Sequence, residues 1–153
     1  MRRTRRKDSD QPSGRGAVAT DRDGSADRVR VLLDANALMM PAQFRIDLFD
    51  ALRGLVGHPE LVVIPAVIGE LERLARGRGA AGIAARCGLI LAASCRLVES
   101  GPAGAPVDEQ ILNYARHSGC MVMTNDRALR CALLSQNVPV ISLKNQKTLD
   151  IMR

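Results

Sequence analysis

The chain has 153 residues, the length of one domain, and 46% of them are hydrophobic, enough for a single buried core. Aromatic residues are only 2%, with two Phe, one Tyr and no Trp, which argues against binders that stack bases on aromatic platforms, such as OB-folds and RRM domains. The net charge of +6 lies mainly at the front: residues 1–30 hold nine Lys/Arg and five Asp/Glu (+4), leaving 13 and 11 (+2) for the rest.

Residues 1–27 are rich in Arg, Asp, Ser and Gly without periodicity, and read as a disordered basic arm. Such an arm suits either contact with a phosphate backbone or simple solvation. "MRRTRRK" has no apolar stretch behind it, so no secretory signal is expected. No apolar run approaches about 18 residues, so no membrane span is expected.

From Val29 the texture changes. "VRVLL" reads as a buried strand. "FRIDLFDALRGLVG" places Phe44, Leu48, Leu52, Leu55 and Val56 on one helical face. "LVVIP" is a second strand, and "AVIGELERLARG" a helix for which Gly77 or Gly79 is a stop. "AAGIAARCGLILAAS" is a helix of small residues suited to close packing, "CRLVES" a short strand and "GPAGAP" a loop. "VDEQILNYARHSG" is a helix ended by Gly119, "CMVMT" a strand, "DRALRCALLSQN" a helix and "VPVISL" the last strand. Strands alternating with helices imply an α/β fold with a parallel sheet covered on both faces. The folded domain is expected over 28–145, with 146–153 as a C-terminal tail.

Cys87, Cys95, Cys120 and Cys131 are widely spaced with no CxxC pair, which speaks against a zinc site. Cys87, Cys95 and Cys131 sit among Ala and Leu, which suggests buried thiols in a reducing, cytoplasmic compartment.

The acids carry the functional reading. Asp34 follows the first strand and Asp126 follows "CMVMT"; in a parallel sheet both stand at the carboxyl edge, where α/β sheets bind ligands. Glu70, in the helix after "LVVIP", and Asp108, at the start of the helix after GPAGAP, are placed to join them. Gathered carboxylates repel unless a cation neutralises them. Hard oxygen ligands without His or Cys favour Mg²⁺ or Mn²⁺, and such ions support hydrolysis of a phosphodiester. Taken singly, Asp34 also suits a helix N-cap, though ligation is the stronger reading there, while Asp108 and Asp126 read first as carboxylates that suit a helix start and its dipole. Glu70, between apolar neighbours in "VIGEL", has no such simple reading.

At these residues the chain resembles PIN-domain nucleases over about Val29 to Leu143. The motifs are "LLDANAL", "VIGELERL", "VDEQILNYA" and "VMTNDRAL", with Asp34, Glu70, Asp108 and Asp126 at the four acidic positions. Within the family, "DANALMMPAQF" and "TNDRALR…VPVISL" resemble archaeal PIN proteins related to the eukaryotic small-subunit processome nuclease, and VapC-type toxins more distantly. The resemblance implies a three-layer α/β/α PIN-like fold with a central parallel sheet. It implies a Mg²⁺- or Mn²⁺-dependent endoribonuclease cutting single-stranded RNA, in ribosomal RNA processing or as the toxin of a toxin–antitoxin pair. A homodimer, an antitoxin or a pre-ribosomal particle are the partners it implies.

In that reading Asp34, Asp108 and Asp126 hold the principal metal, and Glu70 binds metal or orients the attacking water. Asn36 positions an acid, contacts phosphate or is simply a turn residue. Thr124 and Asn125 bond the scissile phosphate, fix the Asp126 loop or cap the next helix. Glu109, Asp47 and Asp50 read as solvent-facing, and His58 and His117 have no partner in a nucleophilic frame. Arg73, Arg76 and Arg78 suit either an RNA path or a solvated helix face.

The rival within the fold is a catalytically silent PIN module that binds RNA as an assembly factor; the complete acid set argues against it. A receiver domain requires a Lys after a late strand, whereas Lys144 and Lys147 follow the final one. A HAD-type phosphatase requires Asp-x-Asp, whereas Asp34-Ala35-Asn36 stands here.

Overall fold

The computed structural model describes residues 28–101 and 104–153. The expected arm, residues 1–27, lies outside them, as do two residues of the GPAGAP loop.

Strand β1 (Arg30–Leu33) leads into helices α1 (Ala35–Phe44) and α2 (Leu48–Val56). Strand β2 (Glu60–Val63) leads into α3 (Pro65–Ala75) and α4 (Gly79–Ala92), then β3 (Arg96–Leu97). Helix α5 (Val107–Ser118), β4 (Met121–Met123), α6 (Arg127–Ser135), β5 (Val140–Lys144) and β6 (Thr148–Met152) complete the chain. The six strands lie in the order β3-β2-β1-β4-β5-β6. Every pairing is parallel except β5 with β6.

Successive residues of the central strands are buried: Val31, Leu32 and Leu33 in β1, Met121, Val122 and Met123 in β4. Side chains alternate between faces of a strand, so unbroken burial means that both faces are covered. Helices α1, α3 and α4 pack on one another, while α5 packs on α6 and β4, and α6 on β5. Each fully buried Leu or Ile removes enough apolar surface to contribute about 1.5–3 kcal/mol. The chain leaves β1 toward β2 but leaves β4 toward β5, and β1 and β4 are neighbours. With right-handed crossovers the two connections depart on opposite faces, so a crevice opens at the carboxyl ends of β1 and β4.

The small residues of α4 serve close packing, as expected. A Cβ on Gly88 would stand 3.2 Å from the Leu38 carbonyl oxygen and 3.3 Å from the Leu38 Cβ of α1. On Gly82 a Cβ would run into the Gly77 carbonyl.

Four expectations change. The stretch from Phe44 to Val56 is not one helical face: α1 ends at Phe44, Arg45 turns left-handed at φ 58, and Asp47 caps α2 by accepting from the Asp50 N–H at 3.0 Å. Residues 146–153 are no tail, because Thr148–Met152 pairs antiparallel with β5 through a hairpin whose Asn145 and Gln146 both have positive φ. That conformation matches the strand twist but is not announced by Gln. The sheet is therefore parallel with one antiparallel edge. Cys131 is exposed, Cys87 and Cys95 are half-buried, and Cys120 alone among the free thiols is buried. Among the described residues no helix is long and apolar enough to cross a membrane.

Candidate active site

Asp34 stands where β1 ends. Its backbone N–H continues the ladder to the Met123 carbonyl of β4 at 3.1 Å, and its carbonyl accepts from Leu38 N in α1. Asp34 as a whole is only 6% exposed. Its Oδ1 accepts from Ala35 N at 2.8 Å, capping α1, and its Oδ2 accepts from Asn36 Nδ2 at 2.9 Å and Thr124 Oγ1 at 2.8 Å. Capping does not exclude ligation: a carboxylate has about four lone-pair positions and these bonds occupy three.

Thr124 is the hub on the other side. It is fully buried, and its backbone N–H bonds the Ile141 carbonyl of β5. The hydroxyl has one proton, donated to Asp34, and it accepts from Asp126 N at 3.0 Å and Asn36 Nδ2 at 3.2 Å. One hydroxyl thus ties both acidic loops together. Asn36 Oδ1 accepts from Asn125 N at 2.9 Å, a second tie across the β1–β4 crevice. Asn125 Oδ1 accepts from Leu143 N of β5 at 2.8 Å, and buried Ser142 Oγ donates to the Thr124 carbonyl at 2.9 Å. Asp126 caps α6 by accepting from Leu129 N at 2.9 Å, while its side chain stays exposed.

The remaining two acids approach from flanking helices. Glu70 is half-buried on α3, and Asp108 is exposed in the first turn of α5. Burial pushes the Asp34 carboxyl up to about 6, against the two protein donors that lower it, and the Glu70 and Asp108 charges push in the same direction as burial. Partial burial and then the Asp126 charge raise Asp108. The four acids therefore share one electrostatic neighbourhood. The ion pairs found among the described residues lie elsewhere, at Arg30–Glu60–Arg96 and Arg53–Asp50.

Asp34, Asn36, Thr124, Asn125 and Asp126 are joined by direct hydrogen bonds; Glu70 and Asp108 are not. Among the described residues, no three His, Cys, Asp or Glu side chains stand grouped so that they could hold a metal ion. The donor set fits a hard divalent cation: all ligating atoms are oxygens, Asp34 retains a lone pair, and Asp126 spends only Oδ1 on its cap.

Ser142 was not visible as a site residue in the sequence; its only signal is a hydroxyl in an otherwise apolar strand. Asn36 and Asn125 each accept from a backbone N–H through Oδ1, and Asn36 also donates to the Asp34 carboxylate. His117 Nδ1 bonds the Asn113 carbonyl on its own helix, and Arg73, Arg76 and Arg78 are exposed.

This is the architecture of a PIN-type protein, an α/β sheet with acids at its switch point. Residues 31–146 match the family model described as a PIN like domain, and the chain belongs to that family. It is 30% identical to Ribonuclease VapC4 of Methanocaldococcus jannaschii, covering 80% of this chain and 95% of the relative. It is 31% identical to Ribonuclease VapC9 of Archaeoglobus fulgidus, covering 81% and 90%. Among solved structures it is similar to the PIN domain endonuclease Utp24, with a TM-score of 0.64, 25% identity, and 81% and 91% of the two chains covered. A domain of a functionally unknown protein from M. jannaschii shares the fold at a TM-score of 0.54 and 21% identity, over 76% and 91%.

Proposed function

We propose that the chain is a Mg²⁺- or Mn²⁺-dependent endoribonuclease that hydrolyses phosphodiester bonds of single-stranded RNA. Family membership and relatives named as ribonucleases support the nuclease class. The observation that carries the reading is the Thr124 hydroxyl, which donates to the Asp34 carboxylate and accepts from the Asp126 backbone N–H, and so ties the two acidic loops together at the switch point. Asp34, Asp108 and Asp126 would hold the ion, and Glu70 would complete its shell or hold the attacking water. When bound, the ion supplies charge neutralisation for the scissile phosphate and a more acidic water. The chain's own residues do the rest: Thr124 and Asn36 fix the Asp34 oxygens, and Asn125 and Ser142 hold the Asp126 loop to β5. Where Glu70 holds the water it would take its proton as the water oxygen bonds to phosphorus, the bridging P–O bond breaks and the leaving oxygen takes a proton from solvent.

The test is cleavage of labelled single-stranded RNA with Mg²⁺, with Mn²⁺ and with EDTA, for wild type, Asp34→Asn and Asp126→Asn. Metal-dependent internal cleavage lost in both variants by at least about 10²-fold is expected, the scale of a lost charge-stabilising group. Turnover in EDTA, or normal turnover by Asp34→Asn, refutes the assignment.

Two biological settings share this chemistry. The resemblance to PIN proteins related to the small-subunit processome nuclease, beside the likeness to the endonuclease Utp24, favours ribosomal RNA processing, and the resemblance to VapC-type toxins, beside the two relatives named ribonucleases, favours a toxin restrained by an antitoxin. Sequencing of RNA ends after controlled expression separates them: ends confined to ribosomal precursors support the first, and ends in mature RNAs with growth arrest support the second. A homodimer is proposed for either setting, to be read from the solution mass.

A further inference from the structure

A second pocket lies at the opposite edge of the sheet, at the amino ends of β1 to β3. It measures about 270 Å³, and its lining includes Arg28, Phe49, Arg53, His58, Pro59 and Leu61. Three of these carry basic side chains and none is acidic. Phe49 and Arg53 are four residues apart on α2, so they project from one helix face. Arg28 is pre-set: Nε donates to the His58 carbonyl and Nη2 to the Pro59 carbonyl, both at 2.9 Å. Those two bonds leave three of the five guanidinium N–H groups for another acceptor. Arg53 meets Asp50 only at 3.4 Å, an exposed contact that leaves its guanidinium able to turn to an anion. Phe49, Pro59 and Leu61 supply an apolar wall beside this basic rim, in a chain that has only three aromatic residues.

The geometry points to a second, non-catalytic nucleotide site: a base against Phe49, Pro59 and Leu61, and its 5′-phosphate between Arg28, Arg53 and His58. At about 270 Å³ the pocket lies just under the lower end of ligand pockets, about 300 Å³, so it takes one nucleotide partly enclosed and no longer segment. A planar base offers a face to Phe49, and guanidinium forks match phosphate oxygens. A bare anion would leave the apolar wall unused, and an uncharged nucleoside would leave the basic rim unused. On an RNA substrate the pocket would hold one nucleotide of the strand on the far side of the sheet from the acids. A free 5′-mononucleotide offers the same chemistry.

The experiment is calorimetric titration of uridine 5′-monophosphate into full-length Asp126→Asn protein in EDTA, so that metal-dependent binding at the carboxyl edge does not contribute. Nucleotide binding can thus fail while the nuclease reading stands, and the reverse. Saturable binding is expected, weakened roughly tenfold by a further Arg53→Gln, the scale of one charged hydrogen bond, and similarly by Phe49→Leu. Arg28→Gln also loosens the turn before β2, so the exposed Arg53 carries the decision. Uridine and inorganic phosphate should each bind at least about tenfold more weakly than the nucleotide. A short single-stranded RNA that competes with the nucleotide at equal concentration assigns the site to the strand, and failure to compete assigns it to the free mononucleotide. The proposal is overturned by absent binding at millimolar nucleotide, by binding indifferent to Arg53→Gln and Phe49→Leu, or by inorganic phosphate binding as tightly. A phosphoserine peptide binding as well as the nucleotide overturns it in favour of a protein partner.

Discussion

At the scale of the residue, Asp34 combines two conflicting demands. Its carboxyl ordinarily titrates at 3.8 but is held at about 6, first by burial. Between these values the folded state holds a proton that the unfolded chain has released, so this group's contribution to stability falls as pH rises from about 4 to about 6. Above that range the charged form costs the metal-free fold about 3 kcal/mol. Asp34→Asn removes this cost, but its amide N–H₂ faces the Asn36 Nδ2 donor or the Ala35 N–H, a mismatch of about 1–3 kcal/mol at any pH. In EDTA the variant is therefore expected to melt at or above wild type at pH 7 and below it near pH 4.5. A melting difference that does not move with pH over that interval removes the account. Thr124 makes a sharper case. Thr124→Val keeps the volume, strips the proton from Asp34 and leaves the Asp126 N–H unpaired, so stability falls by about 1–3 kcal/mol. Cleavage falls with it, because both acidic loops lose their common anchor. Thr124→Ser keeps the hydroxyl and should restore most of the activity at a modest loss of stability; equal impairment of Ser and Val would show that the methyl, not the bond, matters.

At the scale of the element, the site depends on how α4 holds α1. The backbone of Leu38, one turn into the helix that Asp34 caps, faces Gly88 so closely that a methyl group there would need its neighbours to give by a few tenths of an ångström. Ala is the better helix former by roughly 0.5–1 kcal/mol. Of the three obstructing atoms, Leu71 Cδ2 can swing aside, but the Leu38 carbonyl oxygen and Cβ move only with α1, and overpacking costs about 1–3 kcal/mol. Gly88→Ala is therefore expected to destabilise by about 1 kcal/mol net and to lower cleavage through a displaced α1, read from denaturant midpoints and turnover together. A stabilised variant would show that α1 and α4 separate freely. The element scale is also where the sequence pattern is least complete. The acidic helix starts, the glycine after α5 and the alternation of strands and helices are local signals, and they were legible. The break between α1 and α2 was not. Its cause is the Asp47 cap and the left-handed Arg45, and neither interrupts the spacing of apolar residues across it.

At the scale of the whole molecule, the sheet has one short exposed edge, β3, and one edge closed by β6. Residues of β5 reach the site through Ser142 and Leu143, so β6 supports the site from two strands away. Truncation after Asn145 would bare the β5 edge, which invites pairing with other chains. The truncated protein is expected to melt several degrees lower and to form larger species on size-exclusion chromatography. An unchanged melting temperature and a monodisperse profile would show that β6 is dispensable.

The sequence by itself determined the family and the sheet edge on which its acids fall. Acids placed after β1 and β4 and at the start of α5 fall on one rim of any parallel sheet, because strand direction fixes which ends lie together. The PIN resemblance followed from those same residues. Only the tertiary structure decided which of the seven candidate residues touch. Thr124 bonds Asp34 across ninety positions of chain, Ser142 joins from a strand that reads as plain core, and Glu70 and Asp108 act on the others through charge without a bond. Hydrogen bonds between distant segments depend on register and side-chain direction to within an ångström. Local residue patterns carry no information at that resolution.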